Sequence, residues 1–197
     1  MQTGVMERVL ATAEQMLVDR GCEHVTRCSH DDVASARPTP ALCASSAARE
    51  VTYEVYIHRG EQQVSVKFIR AILDAECSPT LRVIIASASG PTPYTRRETN
   101  GKVEFFLFRQ LCFNITRHTL VPKHERAEYV GNTRELPQIS ITDPVVAYYG
   151  YRPGDVLKIT RTFTTQPVDF YRVVVCNGKA HEEDEGTDEV FMTDEVV

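Results

Sequence analysis

Residues 136–161 read Leu-Pro-Gln-Ile-Ser-Ile-Thr-Asp-Pro-Val-Val-Ala-Tyr-Tyr-Gly-Tyr-Arg-Pro-Gly-Asp-Val-Leu-Lys-Ile-Thr-Arg, and this stretch decides how its part of the chain folds. Asp143 is a good helix N-cap, and Pro144 suits the first helical position, where a backbone N–H has no partner within the helix. Gly150 can adopt the left-handed conformation that ends a helix. Pro153-Gly154 fits the two central positions of a type II turn. The stretch therefore predicts a short capped helix, a turn and an alternating strand, and it contains no group that points to chemistry.

The overall composition is typical of a globular protein. The chain has 197 residues, of which 42% are hydrophobic and 25% charged, enough for one domain or two small ones. No apolar run approaches the length needed to span a membrane, and charged residues interrupt the first twenty positions, unlike a signal peptide. Six cysteines are scattered from Cys22 to Cys176, which suits a reducing compartment. We therefore expect a soluble intracellular protein.

Charge is unevenly distributed along the chain. The net charge is −5, but residues 181–197 hold eight acidic residues and no lysine or arginine. Residues 1–180 carry 22 basic and 19 acidic side chains, a net charge of about +3. With this small positive charge, residues 1–180 can contact DNA within a larger assembly, but they are too weakly basic for an independent, tight DNA binder. The tail from about Lys179 is predicted to be disordered, because acidic residues dominate it.

Apolar periodicity predicts the remaining elements. Apolar side chains recur at three- and four-residue spacing over residues 5–20, which predicts an amphipathic helix that ends at Gly21. Alternation over residues 51–57 and 64–68 predicts a hairpin. The other expected elements are a long loop or one weak short helix over 26–49, a buried strand over 81–86, a Pro/Gly loop over 87–97, a helix running into a short strand over 103–116, and a closing strand over 170–175.

Two longer patterns resemble a known family. Residues 114–124 read Asn-Ile-Thr-Arg-His-Thr-Leu-Val-Pro-Lys-His. Further along, the residues that match in order are Leu136, Pro137, Ile139, Asp143, Pro144, Val145, Ala147, Tyr148, Gly150, Arg152, Gly154, Asp155, Val156, Lys158, Ile159 and Arg161. Both patterns resemble the fifth subunit of the eukaryotic nuclear DNA-directed RNA polymerases, which has a counterpart in the archaeal enzyme. Two long motifs in the right order are far more specific than one short pattern.

The resemblance implies an α+β protein without catalytic residues of its own. Residues 1–118 would form a mixed α/β jaw that reaches towards downstream DNA. Residues 119–178 would form a small α/β assembly domain docked on the largest polymerase subunit, followed by the acidic tail, 179–197. The implied partners are the largest and other polymerase subunits and downstream DNA, with no membrane, small-molecule substrate, cofactor or metal. The implied location is the nucleus, or the nucleolus for a subunit dedicated to polymerase I.

The resemblance also implies two sets of site residues. Residues 92–97 resemble a Thr-Pro-Ser-Ala loop of the family's jaw, with Tyr94 in place of a small residue. In this loop Arg96 and Arg97 are candidates for contacts with DNA phosphates. The alternative is a solvated loop with no specific contact. The candidates for the assembly interface are His118, Pro122, His124, Asp143, Pro144, Tyr148, Gly150, Arg152, Gly154, Lys158 and Arg161. Of these, His118 and His124 are expected to be structural.

Other functions remain open from sequence alone. Cys22, His24, Cys28 and His30 are possible zinc ligands, although Cys-x-His is shorter than the usual ligand spacing and the resemblance brings no zinc. A small nuclease would need clustered carboxylates with a nearby lysine, but Ser78 stands where the lysine after Asp74 and Glu76 would be expected. A free-standing transcription factor is the other alternative. The Tyr148-Tyr149 pair is a candidate platform for base stacking, although helical spacing with Val145 favours at least one tyrosine in the core with its hydroxyl at the surface.

Two departures from the family pattern suggest a divergent version, such as an isoform dedicated to one polymerase. Only eleven residues separate His124 from Leu136, where the family usually has a longer segment with a helix. Residues 162–167 replace a Ser-Glu-Thr-x-Gly loop. The acidic tail is a further addition that serves a partner or solubility, and we expect deletion of residues 181–197 to leave assembly intact.

Overall fold

The computed structural model describes residues 2–28, 38–48, 50–74, 78–99, 101–162 and 166–176. Their helices are α1 (Gln2–Asp19), α2 (Val66–Leu73), α3 (Pro93–Glu98), α4 (Phe108–Leu111) and α5 (Pro144–Tyr149). Their strands are β1 (His24–Arg27), β2 (Leu42–Ser46), β3 (Val51–His58), β4 (Leu81–Ser87), β5 (Val103–Leu107), β6 (Lys123–Arg126), β7 (Gln138–Ser140), β8 (Val156–Arg161) and β9 (Val168–Val175). Two short 3-10 turns cover Ile115–Arg117 and Thr133–Glu135. The predicted α+β class is confirmed.

The first sheet is mixed and has helices on both faces. Its order is β1-β2-β3-β4-β5, with antiparallel pairing from β1 to β3 and parallel pairing from β3 to β5. The apolar stripe of α1 packs on one face, together with α4, and α2 covers the other face. The amphipathic helix predicted over residues 5–20 is confirmed, and Gly21 after it has φ +87°. The buried strand predicted over 81–86 is also confirmed, as β4.

The second sheet is smaller and lies in the C-terminal part of the chain. Its order is β6-β8-β9-β7; β8 pairs antiparallel with both β6 and β9, and β7 pairs parallel with β9. Leu157, Ile159 and Val174 form its core with Val146 of α5. The strand predicted after Pro153-Gly154 is β8, and the predicted closing strand is β9.

Four sequence expectations are wrong in local detail. Residues 26–49 contain strand β2 and the end of β1. Residues 66–73, expected as the second strand of a hairpin with β3, form helix α2, which the Ser65 side chain caps. Strand β3 pairs instead with β2 and β4. Residues 93–98 of the expected loop form α3. Strand β5 precedes helix α4, the reverse of the order expected over 103–116.

None of the helices in the described ranges is both long and apolar enough to cross a bilayer. The acidic tail, His30, Glu76 and the centre of the altered loop 162–167 lie outside the described residues.

Candidate functional site

Helix α5 has the two caps that its sequence predicts. The Asp143 side chain accepts hydrogen bonds from the backbone N–H groups of Val145 and Val146, at 2.9 and 3.2 Å. At the other end Gly150 is left-handed, with φ +65°, and its N–H donates to the carbonyl oxygen of Ala147 at 3.1 Å. The following turn is also as predicted: Gly154 has φ +92°, and the Asp155 N–H donates to the Arg152 carbonyl oxygen at 3.0 Å.

This short helix belongs to two cores at once. Val146 is fully buried in the core of the second sheet. Tyr148, two residues later and only 2% exposed, belongs to the core of the first sheet. Side chains two residues apart point to different sides of a helix, so six residues are enough to contact both cores. The helix is therefore the element through which the two sheets are packed together.

Arg20 ties α5 to the first sheet. Its side chain is 0% exposed and lies just after α1. Two of its nitrogens donate to the Glu104 carboxylate on β5, at 3.1 and 2.7 Å. Nε and Nη2 donate to the carbonyl oxygens of Tyr148 and Ala147, each at 2.8 Å. Both carbonyls belong to the last turn of α5: the Ala147 oxygen also accepts from the Gly150 N–H, whereas the Tyr148 oxygen is of the kind that a helix end leaves without a partner. The guanidinium is thus a side-chain cap that reaches α5 from another part of the fold.

Electrostatics keep this arginine charged despite its burial. Burial alone lowers the pKa of a guanidinium, but attraction by Glu104 and the hydrogen bonds to it outweigh burial, so the pKa of Arg20 is raised. The Tyr53 ring lies 5.5 Å from the guanidinium carbon and offers its negative face. A Cβ atom at position 150 would lie 3.0 Å from that same carbon. Gly150 is therefore required both by its left-handed backbone and by the close approach of Arg20.

The Tyr148 hydroxyl joins the two sequence patterns. It donates to Asp19 at 2.8 Å and accepts from the Asn114 side-chain amide at 2.8 Å. Asn114 begins the pattern at residues 114–124, and Tyr148 lies in the pattern at 136–161. Burial, followed by the hydrogen bond to Asp19, raises the pKa of Tyr148. The expectation that one tyrosine of the pair is in the core is confirmed, although its hydroxyl has two protein partners. A buried ring is not a stacking platform for bases.

The structure divides the interface candidates into supporting and surface residues. His124 and Tyr148 are buried, and the Nδ1 atom of His124 lies 2.8 Å from the Pro122 carbonyl oxygen, which fits the structural role expected of this histidine. Pro122, Asp143, Gly150 and Lys158 are half-buried. The exposed candidates are His118, Pro144, Arg152, Gly154 and Arg161. His118 accepts a hydrogen bond from the Leu120 N–H at 3.2 Å.

The free end of β8 and β9 has a mixed apolar and charged surface. The Arg161 guanidinium lies 5.2 Å from the centre of the Phe170 ring, which is 44% exposed. On the opposite face of the sheet, Lys158 and Asp169 form an ion pair at 2.9 Å. The hydrogen bond from Lys158 lowers the pKa of Asp169. An exposed aromatic beside an arginine is typical of a protein-interaction surface.

Helix α3 holds Arg96 and Arg97 at the surface. Its N-cap, Thr92, accepts from the Thr95 N–H at 3.1 Å, and the buried Thr95 hydroxyl donates to the Val64 carbonyl oxygen at 3.2 Å. Both arginines are exposed in the last turn, and Tyr94 points outward with 58% of its surface exposed. The tyrosine therefore does not alter the packing of this segment, and α3 is a firm support for two adjacent positive charges.

The alternative chemical sites find little support in the described residues. Cys22 is buried in the first core, His24 is exposed on β1, and Cys28 lies beside Cys43 instead. Within the described ranges, no three histidine, cysteine or acidic side chains come together as a metal site. Asp74 is exposed at the C-terminal end of α2, as expected of a solvated carboxylate. Arg20 is the residue that sequence reasoning missed, since its partners are more than eighty positions away.

Comparison with known proteins identifies the family. The family model described as RNA polymerase Rpb5, C-terminal domain, matches residues 113–174, a range that contains α5, both of its caps and most of the second sheet. DNA-directed RNA polymerase subunit Rpo5 of Pyrococcus horikoshii is 39% identical over 74 residues, which is 32% of this chain and 90% of that protein. The chain belongs to the RNA polymerase Rpb5 family.

Two eukaryotic relatives extend the comparison. The DNA-directed RNA polymerases I, II, and III subunit RPABC1 of Caenorhabditis elegans is 33% identical over 132 residues, covering 58% of this chain. The chain spans 63% of the length of that relative. The DNA-directed RNA polymerases IV and V subunit 5B of Arabidopsis thaliana is 35% identical over 69 residues, which is 30% of this chain and 32% of that protein. The Rpb5-family resemblance read from residues 114–161 is confirmed.

Proposed function

We propose that this chain is a non-catalytic subunit of a multisubunit DNA-directed RNA polymerase in the nucleus. Residues 119–178 dock on the largest subunit, and residues 1–118 form a jaw directed towards downstream DNA. The observation that carries the proposal is the Rpb5-family match over residues 113–174. The large subunits supply catalysis, and this chain supports assembly of the complex and contacts downstream DNA.

The proposed docking surface is formed by the exposed interface candidates. Arg152 lies on the turn after α5, and Arg161 ends β8 beside Phe170. Among the described residues, neither arginine has an ion-pair partner, so both are available for a carboxylate or carbonyl of another subunit. The buried candidates, Tyr148 and His124, support this surface from within. Assembly therefore depends on direct contact at the first group and on correct folding at the second.

Affinity purification of the tagged chain tests the assembly. We expect the two largest polymerase subunits to elute with it, and the identity of the large subunit shows which polymerase it serves. An R152A/R161A variant is expected to retain much less of them. The matched control, R8A/R109A, removes the same charge from exposed sites elsewhere and should behave like the wild type. Recovery of a lone monomer that binds DNA, or cuts it with Mg²⁺, would overturn the proposal in favour of a transcription factor or a nuclease.

The DNA contact is proposed for Arg96 and Arg97. Adjacent exposed guanidinium groups on a short, anchored helix suit phosphate contacts without base reading. The R96A/R97A variant is expected to assemble normally. Because each phosphate contact releases counterions, its elongation complexes should dissociate at lower salt, and the plot of log affinity against log salt concentration should have a slope smaller by about 2. If the salt dependence equals that of the wild type and of R8A/R109A, the two arginines do not hold DNA.

A further inference from the structure

Two cysteines of the first sheet lie side by side. Cys43 is in β2 directly opposite Thr26 of β1, and Cys28 follows the end of β1. Residues 26 and 28 point to the same face of the strand pair, so Cys28 is the diagonal neighbour of Cys43 on that face. Their sulfur atoms are 3.2 Å apart, and both residues are thiols. The Cys28 N–H donates to the Ala41 carbonyl oxygen at 3.0 Å, which fixes the backbone at this position.

The position of the pair suits oxidation by a small reagent. Cys28 and Cys43 are both half-buried, in contrast to Cys22, which is closed inside the first core. A disulfide bond is about 2.0 Å long, so closing the gap requires a movement of about 1.2 Å, within the reach of side-chain torsion changes. Strand β1 is at the edge of the sheet, where only β2 restrains it by strand pairing. A small shift there disturbs no other strand.

We propose that Cys28 and Cys43 form a reversible dithiol–disulfide pair, an oxidation site at the edge of the first sheet. With hydrogen peroxide as the oxidant, one thiolate attacks a peroxide oxygen, giving a sulfenic acid and hydroxide. The second thiolate then attacks the sulfenic sulfur, forms the S–S bond and expels a second hydroxide. Two protons from the thiols convert both hydroxides to water. The two sulfurs together lose two electrons, and a dithiol reductant reverses the step by exchange.

The bond would fasten β1 to β2. A cross-link between these strands restricts the unfolded chain, so the oxidised protein should have a higher Tm than the reduced protein. Addition of a dithiol reductant should return the Tm to its original value. This inference is independent of the polymerase assignment, because it concerns the purified chain alone.

Differential alkylation of the full-length chain tests the proposal. Trypsin cleaves after Arg27 and Arg49 but not between Arg37 and Pro38, so residues 28–49 leave as one peptide holding both cysteines. The protein is treated with peroxide, unfolded in guanidinium chloride with light N-ethylmaleimide so that buried thiols are blocked as well, reduced, and labelled with heavy N-ethylmaleimide. We expect two heavy labels on peptide 28–49, only light label on the Cys22 peptide 21–27, and a monomer on a non-reducing gel.

Single substitutions provide the controls. C28S and C43S should each abolish the doubly heavy peptide and the reversible Tm increase, while C176S, which changes an exposed cysteine elsewhere, should keep both. Serine is close in size to cysteine, and circular dichroism of both variants checks that they fold. A single heavy label on peptide 28–49, heavy label shared among the other cysteine peptides, or no heavy label at all would each overturn the pairing.

Discussion

Arg20 shows how one buried charge can connect distant parts of this fold. Its guanidinium neutralises Glu104 on β5 and caps the last carbonyls of α5. An apolar side chain would fill the space but would remove the donor to the Glu104 carboxylate and the Tyr148 carbonyl, while the Ala147 carbonyl would keep the Gly150 N–H. A buried polar group without a partner costs about 1–3 kcal/mol. The acceptors around Arg20 therefore stabilise its charged guanidinium in the folded protein.

Replacement of Arg20 by methionine should destabilise the protein strongly. We expect a loss of about 3 kcal/mol in the free energy of unfolding, because the Glu104 carboxylate and the Tyr148 carbonyl oxygen lose the donor that Arg20 supplies, and the Ala147 carbonyl oxygen loses one of its two donors. Arg27 provides the matched control: it pairs with Glu7 and Glu14 of α1 but is 47% exposed. R27M should cost less than about 1 kcal/mol. Urea titrations followed by circular dichroism measure both changes, and equal losses would show that burial of the arginine is not decisive.

Tyr148 predicts a specific dependence of stability on alkaline pH. Its pKa in the folded protein is raised above the ordinary value of 10.0, so folding favours the protonated phenol. The resulting contribution is fully present below about pH 10 and is lost as the pH rises towards the folded pKa. The wild type should therefore lose more stability between about pH 9 and about pH 11 than Y148F, which cannot ionise there. Urea midpoints at the two pH values test this. Equal losses in both proteins would contradict it.

The sequence predicts residues whose role is local and misses those whose partners are distant. Asp143 and Gly150 are predictable because caps depend on the backbone within one helical turn. Arg20 is not, because its bond to the Tyr148 carbonyl spans 128 positions. For the contact of Asn114 with Tyr148, the sequence indicates that each residue matters but not that they are partners. Both residues lie in recognisable patterns, but neither pattern shows that the two touch.

At the scale of elements, the sequence predicts the wrong structure for short stretches where two periodicities fit equally well. Val64, Val66 and Phe68 alternate as in a strand. Val64 precedes the N-cap Ser65, whereas Val66 and Phe68 lie in the first turn of α2, whose buried face is formed by Ile69 and Ile72. Strand β2 gave no clear alternation because its half-buried and buried residues are small and mixed in polarity. Tertiary pairing with β1 and β3 decides its conformation.

The C-terminal end of α5 gives a prediction about an element boundary. Gly150→Ala introduces a left-handed alanine and a Cβ atom 3.0 Å from Arg20, whereas Gly101→Ala introduces a similar φ, +71° instead of +65°, with no heavy atom within 4 Å. The backbone strain, about 1 kcal/mol, is common to both. G150A should therefore destabilise the protein more than G101A in urea titrations. Equal effects would mean that Arg20 moves away from residue 150 without cost.

At the scale of the whole molecule, we expect α5 and Arg20 to determine whether the two sheets open together. Tyr148 lies in the first core and Val146 in the second, and Arg20 bonds the helix to β5. Loss of these bonds removes the charged link but leaves each sheet's own strand pairing intact. The two sheets should consequently lose cooperativity before either loses its fold.

Hydrogen exchange measured by mass spectrometry in low urea tests this directly. In the wild type, peptides from β4 and β8 should exchange with similar opening free energies, since both strands are central in their sheets. In R20M the β8 peptides should exchange faster than the β4 peptides, because the smaller second sheet loses the support of the first through α5. R27M, which leaves that link intact, should keep the two values together. If R20M accelerates exchange equally in both sheets, α5 stabilises the molecule as one unit and Arg20 does not control the separation of its parts.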